Sequence, residues 1–250
     1  MKCLKRTPRN KQKSAFRIVS ALFLFVFSTT ICRADPSESQ QQLNLLYQHA
    51  STTPSDIYEH VPVLRSLAQQ CSSIVEIGLR TMVSSWGILQ GLSENPSPSR
   101  SYLGIDIEIP PIHILNLARK LTESNGILFN FWHTNDIDID IPPTEMLFID
   151  SLHRYCHLTN ELEKFSPRVS KYIAMHDTSA PWGEMDESSY GGNFSYPIKC
   201  DPSKSGLWPA VSDFLLHHPE WTLHQRLLNN HGFTVLKRIK DNHGNPIAVD

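Results

Sequence analysis

Residues 146–155 read MLFIDSLHRY, and this stretch decides the fold. Four apolar residues are followed at once by Asp150, and His153 comes three positions later. A short apolar run of this kind is typical of a strand that is buried on both faces of a sheet. Residues 172–178, YIAMHDT, repeat the pattern with Asp177. Neighbouring parallel strands would bring both carboxylates to one sheet edge, which is where ligands bind in open α/β sheets.

Strands and helices alternate through the rest of the chain. Further strands are predicted at residues 73–78, 101–106 and 127–133, with helical segments between them. This rhythm indicates right-handed βαβ units and a mostly parallel sheet. Residues 221–229 and 233–240 flank an Asn-His-Gly turn, which predicts a C-terminal antiparallel hairpin.

Residues 1–34 have the layout of a secretory signal peptide. A basic block without any acid precedes an apolar run of 14 residues at 18–31, and Cys-Arg-Ala follows at 32–34. The run is shorter than the roughly 20 residues that a membrane-spanning helix needs. The sequence therefore predicts an exported protein, secreted or periplasmic or lumenal. The alternative is an uncleaved leader that anchors the chain to a membrane.

The net charge of the chain without residues 1–34 argues against nucleic acid as a partner. The full chain has 23 basic and 25 acidic residues, and eight of the basic ones lie in residues 1–34. The remainder holds 15 basic residues against 25 acidic ones, a formal net charge of −10. Binding to a phosphate backbone needs a basic surface instead.

Three cysteines follow the leader, namely Cys71, Cys156 and Cys200. An odd number without any C-x-x-C spacing supports neither a zinc cluster nor a disulfide framework. One bridge that involves Cys200 remains open if the compartment is oxidising.

The mature chain is predicted to have two parts. Residues 35–71 form a polar arm and a helix from about residue 56 to residue 70, in which Pro62 can break or kink the helix. Residues 72–250 form the main domain. Within it, the Gly-, Ser-, Pro- and Asp-rich segment 178–205 is predicted to be a long surface loop, typical of an active-site lid.

The first predicted strand suggests a nucleoside site. It ends in Glu76-Ile77-Gly78, and Asp106 ends the next strand. Glycine allows a backbone to approach a ligand closely, and the later acid can accept hydrogen bonds from ribose hydroxyls. The G-x-G-x-x-G pattern of nicotinamide enzymes is absent, because Leu79 and Arg80 follow the glycine.

The second half of the chain carries the residues that suggest chemistry. Asp150 and Asp177 are candidates for a divalent metal site or for acid/base catalysis, and His153 or His176 is a candidate proton acceptor. The simpler alternative is that each aspartate caps a loop or a helix. The alternating acids in residues 136–140 are predicted to form a solvated strand edge.

From Val75 to Arg238 the chain resembles the class I S-adenosylmethionine-dependent methyltransferases. Within that family it resembles the branch of cephalosporin hydroxylase-like and rhamnosyl O-methyltransferase-like proteins. The resemblance is carried by residues 75–78, 103–106, 148–155, 172–178 and 206–210.

The resemblance implies a Rossmann-like seven-stranded sheet with helices on both faces and a reversed last strand. It implies S-adenosylmethionine as cofactor, with its methionine part near Glu76 and Gly78 and its ribose at Asp106. The adenine would lie near Asn135 and Asp136.

In metal-dependent relatives, magnesium binds at the positions of Asp150 and Asp177. Two neighbours depart from that pattern, because His176 stands where relatives often have Glu and Thr178 where others have Asn. Histidine is a poor magnesium ligand.

The activity that the resemblance implies is O-methylation of a small molecule or a glycan hydroxyl, by direct displacement. A metal would lower the pKa of the hydroxyl, or a histidine would take its proton. Two alternatives stay open. One is a non-catalytic binding protein on a methyltransferase fold, and the other is a metal-dependent hydroxylase-like enzyme.

We expect the mature chain to begin at or near Asp35, because the basic block, the apolar run and the small residues end there. The intact mass of the exported protein checks this expectation. A mass that still includes residues 1–34 would contradict it.

Overall fold

The computed structural model describes residues 37–189, 195–241 and 244–247. Its centre is a seven-stranded sheet with the strand order β3-β2-β1-β4-β5-β7-β6. The strands are β1 (Ser73–Ile77), β2 (Arg100–Asp106), β3 (Ile127–His133), β4 (Thr144–Ile149), β5 (Val169–His176), β6 (Trp221–Leu227) and β7 (Phe233–Arg238). The first five strands are parallel, and β7 runs antiparallel to both β5 and β6. The predicted Rossmann-like α/β fold with a C-terminal antiparallel hairpin is confirmed.

Helices cover both faces of this sheet. They are α1 (Glu38–Thr52), α2 (Val61–Ala68), α3 (Val83–Glu94), α4 (Ile112–Ser124), α5 (Tyr155–Phe165) and α6 (Leu207–His217). None of the helices in the described ranges is long and apolar enough to span a membrane.

The apolar run of β4 is continuous because both of its faces are buried. Successive side chains of a strand point to opposite faces. Phe148 belongs to the core that contains Leu43 of α1 and Ile88 of α3. Its neighbour Ile149 belongs to the second core, which contains Val211 of α6. The sheet is thus the middle layer of three.

The segment predicted as an N-terminal arm packs into the same compact unit as the sheet. Helix α1 begins with a capping box in which Ser37 and Gln40 bond each other's backbone N–H. Its buried Tyr47 lies in the first core. Helices α1 and α2 thus share a core with the main domain, and the residues before 37 lie outside the described part.

The predicted helix from about residue 56 starts later than expected. A 3₁₀ turn spans Tyr58–His60, and α2 begins at Val61 with Pro62 in its first turn. Proline suits that position because its missing N–H has no partner in a first helical turn. Pro62 therefore starts the helix instead of kinking it.

The predicted long loop after β5 is confirmed. The described residues between His176 and Leu207 belong to no helix or strand, and a disulfide joins Cys200 to Cys156 of α5. The amide of Asn160 also bonds the backbone of Ile198 in both directions, at 3.0 and 2.8 Å. We call the described residues from 178 to 205 the lid loop.

The close approach of two loops requires a glycine at position 78. Gly78 has φ +83°, and a Cβ built there would lie 2.0 Å from the carbonyl oxygen of Asp150. The close approach that the structure shows is to the loop after β4, and the predicted approach of Gly78 to a ligand stays a prediction.

We expect Gly78→Ala to destabilise the protein by about 3 kcal/mol or more, because backbone strain and a backbone collision add. Gly244→Ala is the matched control, since Gly244 also has a positive φ (+81°) but no atom within 4 Å of the added Cβ. It should cost only about 1 kcal/mol. Urea unfolding of both variants measures the difference, and equal losses would contradict the collision.

Candidate functional site

A cavity of about 480 Å³ opens at the carboxyl edge of the parallel strands. The loops after β1, β2, β4 and β5 all contribute to its wall, as the topology of an open α/β sheet requires. Its size lies within the ~300–1,000 Å³ of typical ligand sites. The sequence-predicted residues that line it are Gly78, Asp106, Asn135, Asp136, Asp150, His153 and Asp177.

Asp106 fixes the loop after β1. Its Oδ2 accepts the backbone N–H groups of Leu79 and Arg80 at 2.7 and 2.9 Å, and its Oδ1 accepts that of Glu108 at 2.8 Å. These bonds hold Arg80 at φ +45°, a strained conformation for a residue with a side chain. A carboxylate offers about four acceptor positions, so one remains on Oδ1 for a ligand. The ribose role of Asp106 stays a prediction.

Glu76 does not belong to the cavity wall. Its side chain is fully buried, and its carboxyl group accepts hydrogen bonds from Ser84, Ser85 and Tyr102. Burial raises the pKa of Glu76 to about 7, although the three hydroxyls favour the ionised form. Ser84, which bonds this carboxyl group, does line the cavity, and the predicted place of the methionine part near Glu76 stays a prediction.

Asn135 and Asp136 line the cavity, as the predicted adenine site requires. The alternating acids of residues 136–140 do not form the predicted strand edge, because Asp136–Asp138 is a 3₁₀ turn capped by Asn135. Asp136 is buried, and its Oδ2 lies 3.3 Å from Nε2 of His157. The adenine role of both residues stays a prediction.

Asp150 and Asp177 meet at one site, as predicted. Their carboxylates and Nε2 of His153 lie within 4.8 Å of one another. Nε2 of His153 is 2.9 Å from Asp177 and 3.6 Å from Asp150, and Nδ1 of His176 is 3.2 and 3.4 Å from the same two carboxylates. We call these four residues the Asp150–Asp177 cluster.

Both histidines of this cluster face acceptors with both ring nitrogens. Nε2 of His176 lies 3.1 Å from the carbonyl oxygen of Asn230, and Nδ1 of His153 lies 3.1 Å from Glu187. A carbonyl oxygen and an ionised carboxylate accept hydrogen bonds, so these neighbours favour a proton on both nitrogens of each ring. Both rings are thus surrounded by groups that favour the imidazolium form.

The pKa shifts agree with this assignment. Burial alone would lower the pKa of both histidines, but Asp150 and Asp177 outweigh it and raise each pKa to about 10. Burial likewise works against the ionised aspartates, yet the imidazoliums hold the pKa of each carboxyl below its usual value. The cluster is therefore two cations between carboxylates.

The predicted role of His176 as a proton acceptor is not supported. Only 2% of the residue is exposed, it does not line the cavity, and both of its nitrogens donate. It positions the carboxylates instead. His153 does line the cavity, so of the two histidines it is the one that a ligand can reach.

Three further cavity residues had no specific signal in the sequence. Trp182 of the lid loop stacks on His153 with ring centroids 5.8 Å apart, and Glu187 pairs with the same ring. Neither follows a strand or a periodic pattern. His231 lines the cavity from the turn between β6 and β7.

The residues at the Asp150–Asp177 cluster fit a divalent metal, though not a typical magnesium site. Asp150, His153 and Asp177 each offer one ligand atom. Imidazole suits zinc or iron better than magnesium. Thr178, in the position where relatives have Asn, is buried and bonds Thr234 at 2.8 Å, so its hydroxyl is already engaged.

No family model and no curated protein matches this chain. Solved structures of methyltransferases are similar to it. The O-methyltransferase from Bacillus cereus in complex with S-adenosylhomocysteine is 13% identical, with 84% of this chain and 93% of that chain covered and a TM-score of 0.47. The O-methyltransferase TomG from Streptomyces achromogenes, involved in tomaymycin synthesis and in complex with S-adenosylmethionine, is 14% identical over 83% and 92%, with a TM-score of 0.48. The S-adenosylhomocysteine-bound Podospora anserina methyltransferase PaMTH1 is 13% identical over 83% and 90%, with a TM-score of 0.45. At these identities and TM-scores, function has to be argued from the site.

We expect the free energy of unfolding to fall between pH 7 and pH 10. The pKa of His153 is raised by folding from 6.5 to about 10, so its stabilising contribution is complete below pH 6.5 and is lost as the pH rises through 10. His153→Gln should reduce this pH-dependent loss by on the order of 2 kcal/mol, while His176 retains its own part.

Urea unfolding at several pH values, with EDTA present, measures this dependence. His113→Gln is the control, because His113 is an exposed histidine of α4 outside the cluster. A His153→Gln variant with the unaltered pH dependence would contradict the assignment.

Proposed function

We propose that this chain is an S-adenosylmethionine-dependent methyltransferase that methylates a hydroxyl group of a small molecule or a glycan. We also propose that it belongs to the branch of cephalosporin hydroxylase-like and rhamnosyl O-methyltransferase-like proteins. The observation that carries the proposal is the meeting of Asp150, His153 and Asp177 in the wall of a cavity that the Gly78 loop and Asp106 also form. In this proposal the Gly78 loop and Asp106 hold the cofactor, and the Asp150–Asp177 cluster in the same cavity receives the acceptor hydroxyl.

The charge of the cavity supports a cationic cofactor. Arg80 is the one lysine or arginine among the described residues that line it. The lining carboxylates are Asp56, Asp106, Glu108, Asp136, Asp150, Asp177 and Glu187. Protonated His153 and His176, together with Arg80, would offset three of these seven charges, so the carboxylates remain in excess. A sulfonium ion and an ammonium group suit such a lining, whereas a polyanionic acceptor such as a coenzyme A thioester would be repelled. The acceptor that fits is therefore neutral or cationic.

The chain's own residues would position the acceptor and take its proton. S-Adenosylmethionine, when bound, supplies an electrophilic methyl group. The imidazoliums lower the pKa of Asp150 and Asp177, so these carboxylates are weak bases toward a free hydroxyl. The hydroxyl becomes strongly acidic as its oxygen gains the methyl group, and either carboxylate can take the proton at that stage. His153, held between them and Glu187, can donate a hydrogen bond. Trp182 packs on His153 and helps to keep water out.

A bound divalent metal is compatible with the same residues. Asp150, His153 and Asp177 would hold it, and it would lower the pKa of an acceptor hydroxyl. His153 would then coordinate through Nε2 and donate through Nδ1 to Glu187, which is the usual second partner of a metal-bound histidine.

One observation favours the alternative of a non-catalytic binding protein. Asp106 already accepts three backbone N–H groups, including that of Arg80. A cofactor ribose therefore has one remaining acceptor position there instead of a free carboxylate. Cofactor binding decides between the two functions.

We further propose that the protein is exported, with its leader removed or retained as a membrane anchor. The basic and apolar pattern of residues 1–34 supports this proposal. Those residues lie outside the described part of the structure.

We expect Asp106→Ala to weaken binding of S-adenosylmethionine by about 1.5–3 kcal/mol, the range for hydrogen bonds to a charged group. Calorimetric titration measures the dissociation constant. Asp140→Ala is the control, since Asp140 is an exposed acid that does not line the cavity. No binding by the wild-type chain favours the binding-protein alternative. An unchanged constant in a folded Asp106→Ala protein removes Asp106 from the site.

We expect Asp150→Asn to abolish methyl transfer, because an amide cannot accept the hydroxyl proton. S-Adenosylhomocysteine release with a panel of glycans and phenols as acceptors measures it. If the wild-type chain stays active after exhaustive chelation, Asp150 acts in proton transfer and positioning. If chelation removes activity and a divalent ion restores it, a bound metal is required for the reaction. Full activity of Asp150→Asn would exclude Asp150 both from proton transfer and from metal binding.

A further inference from the structure

A second group of ionisable side chains forms part of the cavity wall. Asp136 comes from the turn after β3, and His157 and Glu161 lie four residues apart on one side of α5. One ligand atom from each lies within 4.8 Å of the others. The three residues are 5%, 3% and 0% exposed. We call them the Asp136 cluster.

Two carboxylate oxygens in this cluster lack hydrogen bonds. Within the described ranges, Oδ2 of Asp136 and Oε2 of Glu161 are buried and have no hydrogen-bond partner. The other oxygen of Glu161, Oε1, accepts the hydroxyl of Ser151 at 2.6 Å. Two neighbouring buried carboxylates that each keep one oxygen without a hydrogen bond require a cation or a shared proton.

The distance between His157 and Asp136 suits two ligands of one metal ion, and the distance between His157 and Glu161 is slightly longer. Nε2 of His157 lies 3.3 Å from Oδ2 of Asp136 and 3.8 Å from Oε1 of Glu161. Good N–H···O bonds are shorter, at about 2.7–3.2 Å. Ligand atoms about 2.0–2.2 Å from a tetrahedral zinc ion lie about 3.3–3.6 Å from one another.

We propose that Asp136, His157 and Glu161 bind a divalent cation of the zinc class. One imidazole and two carboxylates are ligands that zinc accepts, and they leave a fourth position open. Asp136 and His157 line the cavity, so a water molecule or a ligand can fill that position. The ion would neutralise the buried carboxylates and join the turn after β3 to α5. This site is separate from the Asp150–Asp177 cluster and does not depend on methyl transfer.

The test uses the full chain with Asp177→Asn, which disables the Asp150–Asp177 cluster as a competing metal site. After removal of metals with EDTA, the protein is titrated calorimetrically with Zn²⁺. We expect one equivalent to bind, and Mg²⁺ to bind at least 100-fold more weakly. Adding Glu161→Gln should weaken Zn²⁺ binding at least 50-fold, because the isosteric amide removes a charged ligand.

Glu163→Gln is the matched control, since Glu163 lies on the same helix but pairs with His218 at 3.0 Å. It should leave Zn²⁺ binding unchanged. If Glu161→Gln does not fold, His157→Gln takes its place with the same expectation.

A shared carboxyl proton is the alternative occupant, and it gives a different result. Zn²⁺ would then bind only weakly and without a defined number of sites. The Glu161→Gln variant would have the same melting temperature as the Asp177→Asn protein, with or without Zn²⁺. Either that result or an unchanged Zn²⁺ affinity in Glu161→Gln overturns the proposal.

Discussion

The ion-pair network around His176 is the interaction on which the cavity depends. One nitrogen of this buried ring donates to the carbonyl of Asn230, in the turn between β6 and β7, and the other faces Asp150 and Asp177. One side chain therefore connects the loops after β4 and β5 with the terminal hairpin. Without this cation, the two carboxylates would face each other with His153 alone to balance them, and an uncompensated buried charge costs several kcal/mol.

The same network determines how the lid loop joins the cavity. His153 is held by Asp177 on one side and by Glu187 of the lid loop on the other, with Trp182 on its face. The disulfide between Cys156 and Cys200 adds a covalent attachment close to the same residues. Because the attachment points cluster at the start of α5, the lid loop and the carboxylates form one structural unit.

The parts of the fold that were predictable are those that local pattern and topology determine. The apolar run that ends at Ile149 indicates a strand buried on both faces, and parallel neighbours share an edge. The meeting of Asp150 and Asp177 follows from these two facts alone. The start of α2 was less predictable, since Pro62 can begin a helix or kink one, and only packing decides between them.

The parts that were not predictable depend on contacts between distant residues. No spacing rule connects Glu76 with the hydroxyl of Tyr102, or Asp136 with His157. The acids of residues 136–140 alternate with isoleucines, as in a strand, and the buried contact of Asp136 overrides that local pattern. Glu187 gave no signal because lid-loop residues have no periodicity from which burial can be read.

The protonation of His153 links the two possible forms of the Asp150–Asp177 cluster. Its Nε2 lies 2.9 Å from Asp177, so the position between them holds either a proton or a metal ion, but not both. When His153 is protonated, the carboxylates of Asp150 and Asp177 are balanced by the two imidazoliums and need no ligand. A metal has to displace that proton, and its affinity therefore falls as the pH decreases below the pKa of about 10 that His153 has in the metal-free protein. Because the carboxylates raise this pKa, His153 holds its proton more tightly, and the proton competes more strongly with a metal ion. A metal role at this site consequently requires higher intrinsic affinity than the same three ligands would need around an unpaired, neutral histidine.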